Sequence, residues 1–390
     1  MRKLFVFSIF LILVSCQESV TQVATVVDGV VTVNTSDVKT TVDMKLSDLV
    51  EDMEIIQLDS EAEAYVFQYA PVAFSENYLV CFSQTQAKLF DRKTGKFLTN
   101  IGAQGNGPGE YGDFVENYSI SEKRGSIFIV NYSGARCIIE YDLQGKFKRQ
   151  IPLADKRAIS NVNFIIDDDK DVITIFCVPL NGVVWQQDFE GNALTDKAIM
   201  VYDRKNWNSS KSIVTNNTFN IFNNKNFNKQ DTLCKYDREN HKINPIFTTK
   251  VDMYSESENI TDTKVKVAYR ETPKYFIASL MNTEYVAENG RVYGITYSFK
   301  EHIFINKENL SGNYVNLKND YLFDDKISLL NLTDDLLYET YSAERLMEII
   351  ENASEEQRQN TDPEILKRLD ELYENLDEES NTTIFVGKLK

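Results

Sequence analysis

The chain has 390 residues, of which 42% are hydrophobic and 26% charged, so it is long enough for one large folded domain or two ordinary ones. Its 59 acidic and 42 basic residues give a net charge of −17, which disfavours nucleic acid and anionic lipid as binding partners because both repel an acidic surface. Only two histidines are present, which argues against zinc hydrolases and against serine or cysteine nucleophiles paired with imidazole. The 23 Phe and 20 Tyr favour strands over helices.

The N-terminus has the pattern of a signal peptide. A basic start, Met1 to Lys3, precedes an apolar run from Leu4 to Val14 that is much shorter than the roughly 20 residues of a membrane-spanning helix. The Leu-Val-Ser-Cys sequence that ends at Cys16 resembles a bacterial lipobox, which implies cleavage before Cys16 and attachment of diacylglycerol to its thiol. An ordinary signal peptide with a coincidental cysteine is the alternative. We expect a signal peptide over residues 1–15, a lipidated tether over residues 16–40, and an extracytoplasmic place on the cell envelope.

A hairpin repeats through the middle of the chain. Its four copies begin at Leu89, Glu140, Gln187 and Lys235, and a weaker fifth copy covers 305–309. The aspartates of the four copies, Asp91, Asp142, Asp188 and Asp237, are separated by 51, 46 and 49 residues. In each clear copy an aspartate can accept hydrogen bonds from the turn backbone, and a glycine supplies the positive φ. A period near 50 residues indicates a repeat architecture.

Each repeat is preceded by a second strand–turn–strand pattern, as in the segment Phe74–Val80, so that one unit holds about four short strands. A unit of this kind is one blade of a β-propeller, and it cannot bury both faces without neighbours. A β-sandwich is the alternative, but its hairpins recur near every 10 residues. We therefore predict an all-β propeller in which Ser126–Val130 and Val172–Phe176 are buried on both faces.

A glycine-rich segment at residues 101–111 then indicates a family. Its sequence, Ile-Gly-Ala-Gln-Gly-Asn-Gly-Pro-Gly-Glu-Tyr, resembles the signature of the six-bladed β-propeller lipoproteins of Bacteroidota, and it follows the first repeat as in that family. The segments 46–58 and 381–390 resemble the opening and the close of the same family. The resemblance covers roughly residues 44–390, is strongest before Gly191, and implies six blades.

This signature loop has a structural and a functional interpretation. It is built from Gly105, Gly107, Pro108, Gly109, Glu110 and Tyr111. A phosphate-binding loop requires Gly-Lys-Ser/Thr at the start of a helix, whereas strand follows here. We favour a structural connection between blades, anchored by Glu110 and Tyr111, over a cradle for a ligand.

Three other residues are candidates for ligand binding. Trp185 and Trp207 could stack on sugar rings, although packing is the commoner role of tryptophan. Arg136 could face the mouth of the channel and pair with an anionic ligand. The acidic run at 167–171 lacks the glycine and glutamate of a calcium loop, so we predict a solvated turn and no metal site.

Four cysteines remain after Cys16, and none shows metal-ligand spacing. They are Cys81, Cys137, Cys177 and Cys234. An extracytoplasmic compartment permits disulfides, but cysteine in apolar stretches commonly packs as a small hydrophobe. We expect free, buried thiols.

The C-terminal part departs from the β pattern. Thr361–Glu364 reads as a capping box with Pro363 in the first turn of a helix, and a shorter helix is expected over Ser342–Glu351. We predict a propeller over residues 41–326, a helical insertion over 327–380 and a closing strand over 381–390. That strand is expected to pair with Met53–Leu58 inside the last blade, because an unclosed ring exposes sheet edges.

Two functions from different classes follow from these patterns. The first is a non-catalytic binding module on the cell envelope, monomeric and held to the membrane by its lipid, which recognises a glycan, a peptide or a partner protein. The alternative is a lactonase-like or lyase-like propeller enzyme that uses acidic residues at the channel mouth, with calcium. We favour the first, with no catalytic residues and no cofactor, because no cluster has the spacing of metal ligands.

Overall fold

The computed structural model describes residues 22–68, 70–83, 86–112, 115–131, 136–155, 162–177, 183–199, 218–221, 232–251, 264–288, 291–327, 329, 331–333 and 335–390. These residues form six sheets of four or five strands, which are the blades of a six-bladed β-propeller. The predicted fold class is confirmed.

Four strands and a one-turn helix precede the first complete blade along the chain. They are β1 (Ala24–Val27), β2 (Val30–Asn34), β3 (Thr41–Lys45), α1 (Leu46–Leu49) and β4 (Val50–Gln57). Among these four strands, β1 pairs with β2. The strands β2, β3 and β4 each pair with a strand from the second half of the chain.

Blades one to three each consist of four consecutive antiparallel strands. Blade one is β5 (Val72–Phe74), β6 (Tyr78–Ser83), β7 (Gln86–Asp91) and β8 (Phe97–Ile101). Blade two is β9 (Val115–Ser121), β10 (Ser126–Asn131), β11 (Cys137–Asp142) and β12 (Phe147–Pro152). Blade three is β13 (Asn163–Asp167), β14 (Val172–Cys177), β15 (Val183–Gln187) and β16 (Ala198–Ile199). The predicted burial of β10 and β14 on both faces is confirmed, since consecutive residues along each are buried.

Blades four and five draw strands from two distant parts of the chain. Their later strands are β17 (Thr218–Ile221), β18 (Thr232–Asp237), β19 (Lys242–Lys250), β20 (Lys264–Glu271), β21 (Tyr275–Glu288), β22 (Arg291–Asn306) and β23 (Gly312–Lys318). On the outer edge of blade four, β2 pairs in parallel with β19, and β1 lies beyond it. On blade five, β3 pairs in parallel with β23.

The tether predicted for residues 16–40 is therefore wrong from Ala24 onward. Ala24 and Val33 are buried in the same hydrophobic cluster as Phe247 of blade four. The open outer edge of β19 offers unpaired backbone groups, and pairing with it satisfies the backbone of the Val- and Thr-rich segment. This segment belongs to the propeller.

Blade six joins the two ends of the chain. It contains β24 (Leu332–Thr333), β25 (Leu336–Tyr341), β26 (Thr383–Leu389) and β4. The strand β26 pairs antiparallel with β4, with Thr383 opposite Gln57 and Val386 opposite Glu54. The predicted closure of the ring by the two terminal strands is confirmed.

Residues 24–57 thus follow the outer edges of blades four, five and six in that order. We call this segment the N-terminal belt. It contributes a hairpin to blade four, one strand to blade five, and the strand that closes blade six.

A helical insert, residues 342–380, connects β25 to β26. It contains α2 (Ala343–Glu351), α3 (Glu355–Asn360) and α4 (Pro363–Glu374). The insert begins later than the predicted residue 327, because β24 and β25 come first. The helix predicted over Ser342–Glu351 is present as α2, and Ser342 is its cap, since its Oγ accepts a hydrogen bond from the backbone N of Arg345 at 3.3 Å.

The cap of α4 is Asp362, one residue later than the predicted capping box. Its Oδ1 accepts hydrogen bonds from the backbone N of Glu364 at 2.9 Å and of Ile365 at 3.3 Å. The insert packs where blades five and six meet: Leu369 is fully buried in a cluster with Leu46 of α1 and Leu322, which follows β23. This contact fixes the helices to the belt.

The repeat glycines serve two purposes. Gly95 and Gly145 have φ values of 70° and 77°, as the predicted turns require. In addition, a Cβ on Gly95 would lie 1.9 Å from the carbonyl oxygen of Gln57, and one on Gly145 would lie 2.0 Å from that of Asn100. Gly191 makes the same kind of contact with blade two. Each repeat glycine therefore lets its turn approach the last strand of the preceding blade.

Candidate functional site

The signature loop folds back on itself. The backbone N of Gly107 donates to Oε2 of Glu110 at 2.6 Å, and that of Gly112 donates to the carbonyl O of Gly105 at 2.9 Å. A Cβ on Gly105 would lie 2.0 Å from Oε2 of Glu110, so the carboxylate occupies the space that the glycine leaves. The loop uses its polar groups internally, which favours the structural interpretation.

Two tyrosines connect this loop to blades one and two. Tyr111 is fully buried, and its hydroxyl accepts a hydrogen bond from the backbone N of Ala87 at 3.1 Å. The hydroxyl of Tyr141 donates to the carbonyl O of Gly109 at 2.8 Å, and burial raises the pKa of both phenols. Tyr111 thus anchors the loop between the two blades.

The three residues predicted as candidates for ligand binding do not lie in one site among the described residues. Trp185 is fully buried between blades two and three, where its Nε1 donates to Oε1 of Gln187 at 3.0 Å. It is a packing residue, and its predicted role in sugar stacking is wrong. Arg136 is exposed before β11, and its carbonyl O accepts from the backbone N of Leu153 at 2.8 Å. Trp207 lies outside the described residues, as does Cys16.

The four remaining cysteines are free thiols. Cys81, Cys177 and Cys234 are buried and Cys137 is half-buried, so the expectation of free thiols is confirmed. Burial raises the pKa of Cys234 to about 12, which suppresses the reactive thiolate.

The acidic run at 167–171 forms the turn between β13 and β14, as predicted. Arg124 of blade two pairs with Asp168 at 2.9 Å and also contacts Asp171. Arg238 of blade four pairs with Asp167 at 3.2 Å. The run joins three neighbouring blades through ion pairs.

A cavity of about 480 Å³ lies between the end of β3 and the helical insert. We call it the insert pocket. Its charged lining comes from Asp43, Asp48, Asp320, Asp324, Lys45 and Lys318. The volume is in the range of small-molecule sites, and four acidic groups against two basic groups disfavour an anionic ligand.

Several of these lining residues make hydrogen bonds within the protein. Oδ2 of Asp320 accepts from the hydroxyl of Ser47 at 2.6 Å, and Oδ1 of Asp43 accepts from Nδ2 of Asn316 at 3.0 Å. Gln357 also lines the pocket, and its Nε2 donates to the carbonyl O of Phe323, another lining residue, at 2.6 Å. These bonds hold the walls of the pocket in place.

Three exposed polar side chains of the lining are not used in this way. Among the residues that the structure describes, the Asp324 carboxylate, the Asn360 amide and the Lys45 ammonium make no hydrogen bond or ion pair. Phe323 and Asp324, which both line the pocket, have left-handed backbone with φ of 49° and 60°. A carboxylate and an amide in the lining of one pocket offer both acceptors and donors to a polar ligand.

Arg270 is an unexpected buried cation in β20, the first strand of blade five. Its side chain is 2% exposed, and its Nη1 donates to the carbonyl O of Tyr269 at 2.8 Å. Within the described ranges, Nε and Nη2 have no hydrogen-bond partner, and burial lowers the pKa to about 10. Both nitrogens are closed off from solvent, so we do not assign this residue to ligand binding, and the burial of its incompletely paired charge costs stability.

Within the described ranges, no group of three or more His, Cys, Asp or Glu side chains is placed to hold a metal ion. The calcium-dependent enzyme alternative has no support there. None of the described helices combines the length and apolar character needed to cross a membrane.

Known proteins share both a family and a fold with this chain. A candidate exported protein (BF0058) of Bacteroides fragilis NCTC 9343 is 15% identical, and its crystal structure aligns over 92% of this chain and 100% of that chain with a TM-score of 0.57. The N-terminal domain of Nup159 is 12% identical over 77% of each chain, with a TM-score of 0.39. No curated protein matches. The model of the family described as "Domain of unknown function (DUF4934)" matches residues 29–388, and the chain therefore belongs to the DUF4934 family.

Proposed function

We propose that this protein is an envelope lipoprotein, acylated at Cys16, whose propeller is a non-catalytic scaffold that binds a glycan, a peptide or a partner protein. The observation that carries the binding function is the insert pocket, in which the side chains of Asp324, Asn360 and Lys45 make no hydrogen bond or ion pair among the described residues. The similarity to a candidate exported protein supports an extracytoplasmic location.

Of the three ligand classes, a glycan has the best chemical match. Neighbouring hydroxyls of a sugar can donate to the Asp324 carboxylate and exchange hydrogen bonds with the Asn360 amide. The walls are rigid, since Asp320 and Gln357 are held by hydrogen bonds, so little ordering is needed on binding. The acidic lining also disfavours phosphorylated ligands.

The binding experiment compares pocket variants on a panel of neutral oligosaccharides. Asp324→Asn removes the charge while keeping a residue that tolerates left-handed backbone, and Asn360→Ala removes the amide. Each should weaken the best-bound glycan at least tenfold. The control is Glu356→Ala, an exposed acid on α3 outside the pocket lining, which should leave binding unchanged.

Two results would count against this site. Equal binding by wild type and both pocket variants would move the site elsewhere on the ring. Binding to a peptide library but to no glycan would select one of the other ligand classes.

Lipidation is tested separately. Cys16→Ser should release the protein from the membrane fraction and abolish labelling by an acyl-chain probe. A labelled mutant would refute the lipobox interpretation.

A further inference from the structure

The first described residues are fixed to the rim of the ring. Gln22 forms a β-bridge with Ser311, and the backbone N atoms of Val23 and Ala24 both donate to the carbonyl O of Leu310 at 3.1 Å. Leu310 lies in the turn between β22 and β23 of blade five. The chain is therefore held at this turn from residue 22 onward.

The distance from this point to the proposed lipid is short. Six peptide steps separate Cys16 from Gln22, and at about 3.5 Å per residue they span at most about 20 Å. An acylated Cys16 must lie at the membrane surface. The rim at blades four and five is thus confined to a layer close to that surface.

The same rim carries an exposed apolar hairpin. Val26 and Val27 of β1 are 58% and 54% exposed, although successive strand residues point to opposite faces. Both faces of the hairpin end are therefore open to solvent. The strand β1 is also the last strand of its sheet, so one of its edges is unpaired.

The charge of the hairpin is compatible with the membrane interface. Residues 24–34 contain one acidic residue, Asp28 at the turn, and no basic residue. Contact with lipid would therefore come from the valines and not from attraction to anionic headgroups. The whole chain carries a net charge of −17, whereas this hairpin is apolar and begins only a few residues after Cys16.

We propose that the β1–β2 hairpin lies against the bilayer into which Cys16 is acylated, with Val26 and Val27 at the boundary between headgroups and acyl chains. This proposal rests on the proposed lipidation. The diacylglycerol on Cys16 supplies two acyl chains, which are enough for stable attachment, so the hairpin contact adds a fixed orientation to the anchor. The occupant of this surface is lipid, and it also sets the orientation of the ring.

The test uses the full-length lipoprotein in zwitterionic phosphatidylcholine vesicles that carry brominated acyl chains. Val26→Trp places a fluorescent probe on the hairpin, and Leu98→Trp places one on the exposed rim of blade one, where the native side chain is 43% exposed. After subtraction of the wild-type signal, the added emission of Val26→Trp should be quenched at least twofold. The added emission of Leu98→Trp should be unchanged.

The outcomes separate the two proposals. If the wild-type protein neither floats with the vesicles nor takes an acyl label, the lipid anchor is refuted and the hairpin contact falls with it. If it floats and is labelled while neither Val26→Trp nor Val27→Trp is quenched, only the hairpin contact is refuted. The second position guards against a folding defect at the first.

Discussion

Asn381 is the residue on which the closure of the ring can be tested most sharply. It is fully buried, two residues before β26. Its Oδ1 accepts from the backbone N of Val66 and of Thr382, both at 2.8 Å. Its Nδ2 donates to the carbonyl O of Asp59 at 2.7 Å and of Ala64 at 2.9 Å. One amide therefore clamps the segment that leads from blade six to blade one.

We expect Asn381→Ala to lower the free energy of unfolding by about 4 kcal/mol, because four buried hydrogen bonds at about 1 kcal/mol each are lost. The measurement is urea unfolding of the soluble Cys16→Ser chain, followed by circular dichroism. The matched control is Asn375→Ala, whose exposed amide donates only to the carbonyl O of Glu371, and it should cost less than about 1 kcal/mol. A loss below about 1 kcal/mol in Asn381→Ala would refute the clamp.

Two further predictions concern the turns and the buried cation. Gly95→Ala should lower the free energy of unfolding by about 3 kcal/mol or more, because its Cβ would meet the carbonyl of Gln57. The control is Gly125→Ala, which has φ of 57° and open space around it and should cost about 1 kcal/mol. Similar melting temperatures for the two variants would contradict the inter-blade contact. Arg270→Met should raise the free energy of unfolding by roughly 3 kcal/mol at pH 7, because a fall in the pKa from 12.5 to about 10 disfavours the charged form in the fold. This increase in the free energy of unfolding should be constant below pH 10 and should shrink as pH rises through 10. A destabilised Arg270→Met variant would show that the guanidinium has a partner in solution.

The sequence was most informative where the chemistry is local. The aspartates of the repeat accept hydrogen bonds from their own turns: Oδ1 of Asp142, for example, accepts from the backbone N of Gln144 at 2.9 Å. Ring closure was also predictable, because Met53–Leu58 and the last strand had no nearby partner. These features depend on residues close in sequence or on the need to pair a sheet edge.

The features that the sequence did not reveal depend on distant partners. Residues 24–34 resemble an extended tether because β19, more than 200 residues away, supplies their pairing. A tryptophan in the sequence can stack on a sugar or pack in the core, and its residue type does not distinguish the two roles. The burial of Trp185 between two blades shows that it packs. The insert pocket is assembled from β3, the segment after β23 and α3, and no spacing pattern joins those three.

The N-terminal belt also determines how the molecule would bear mechanical load. A pull on lipid attached at Cys16 reaches the ring at Gln22 and acts first on the hairpin, in which β1 and β2 pair over only four residue positions. The closing strand β4 lies beyond β3 and α1, and it is paired with β26 over most of its length. A pulling force would therefore peel the hairpin from blade four before it reached the closure of the ring. The outer strands of blades four and five would detach first under force, and the closed ring of the propeller would stay intact.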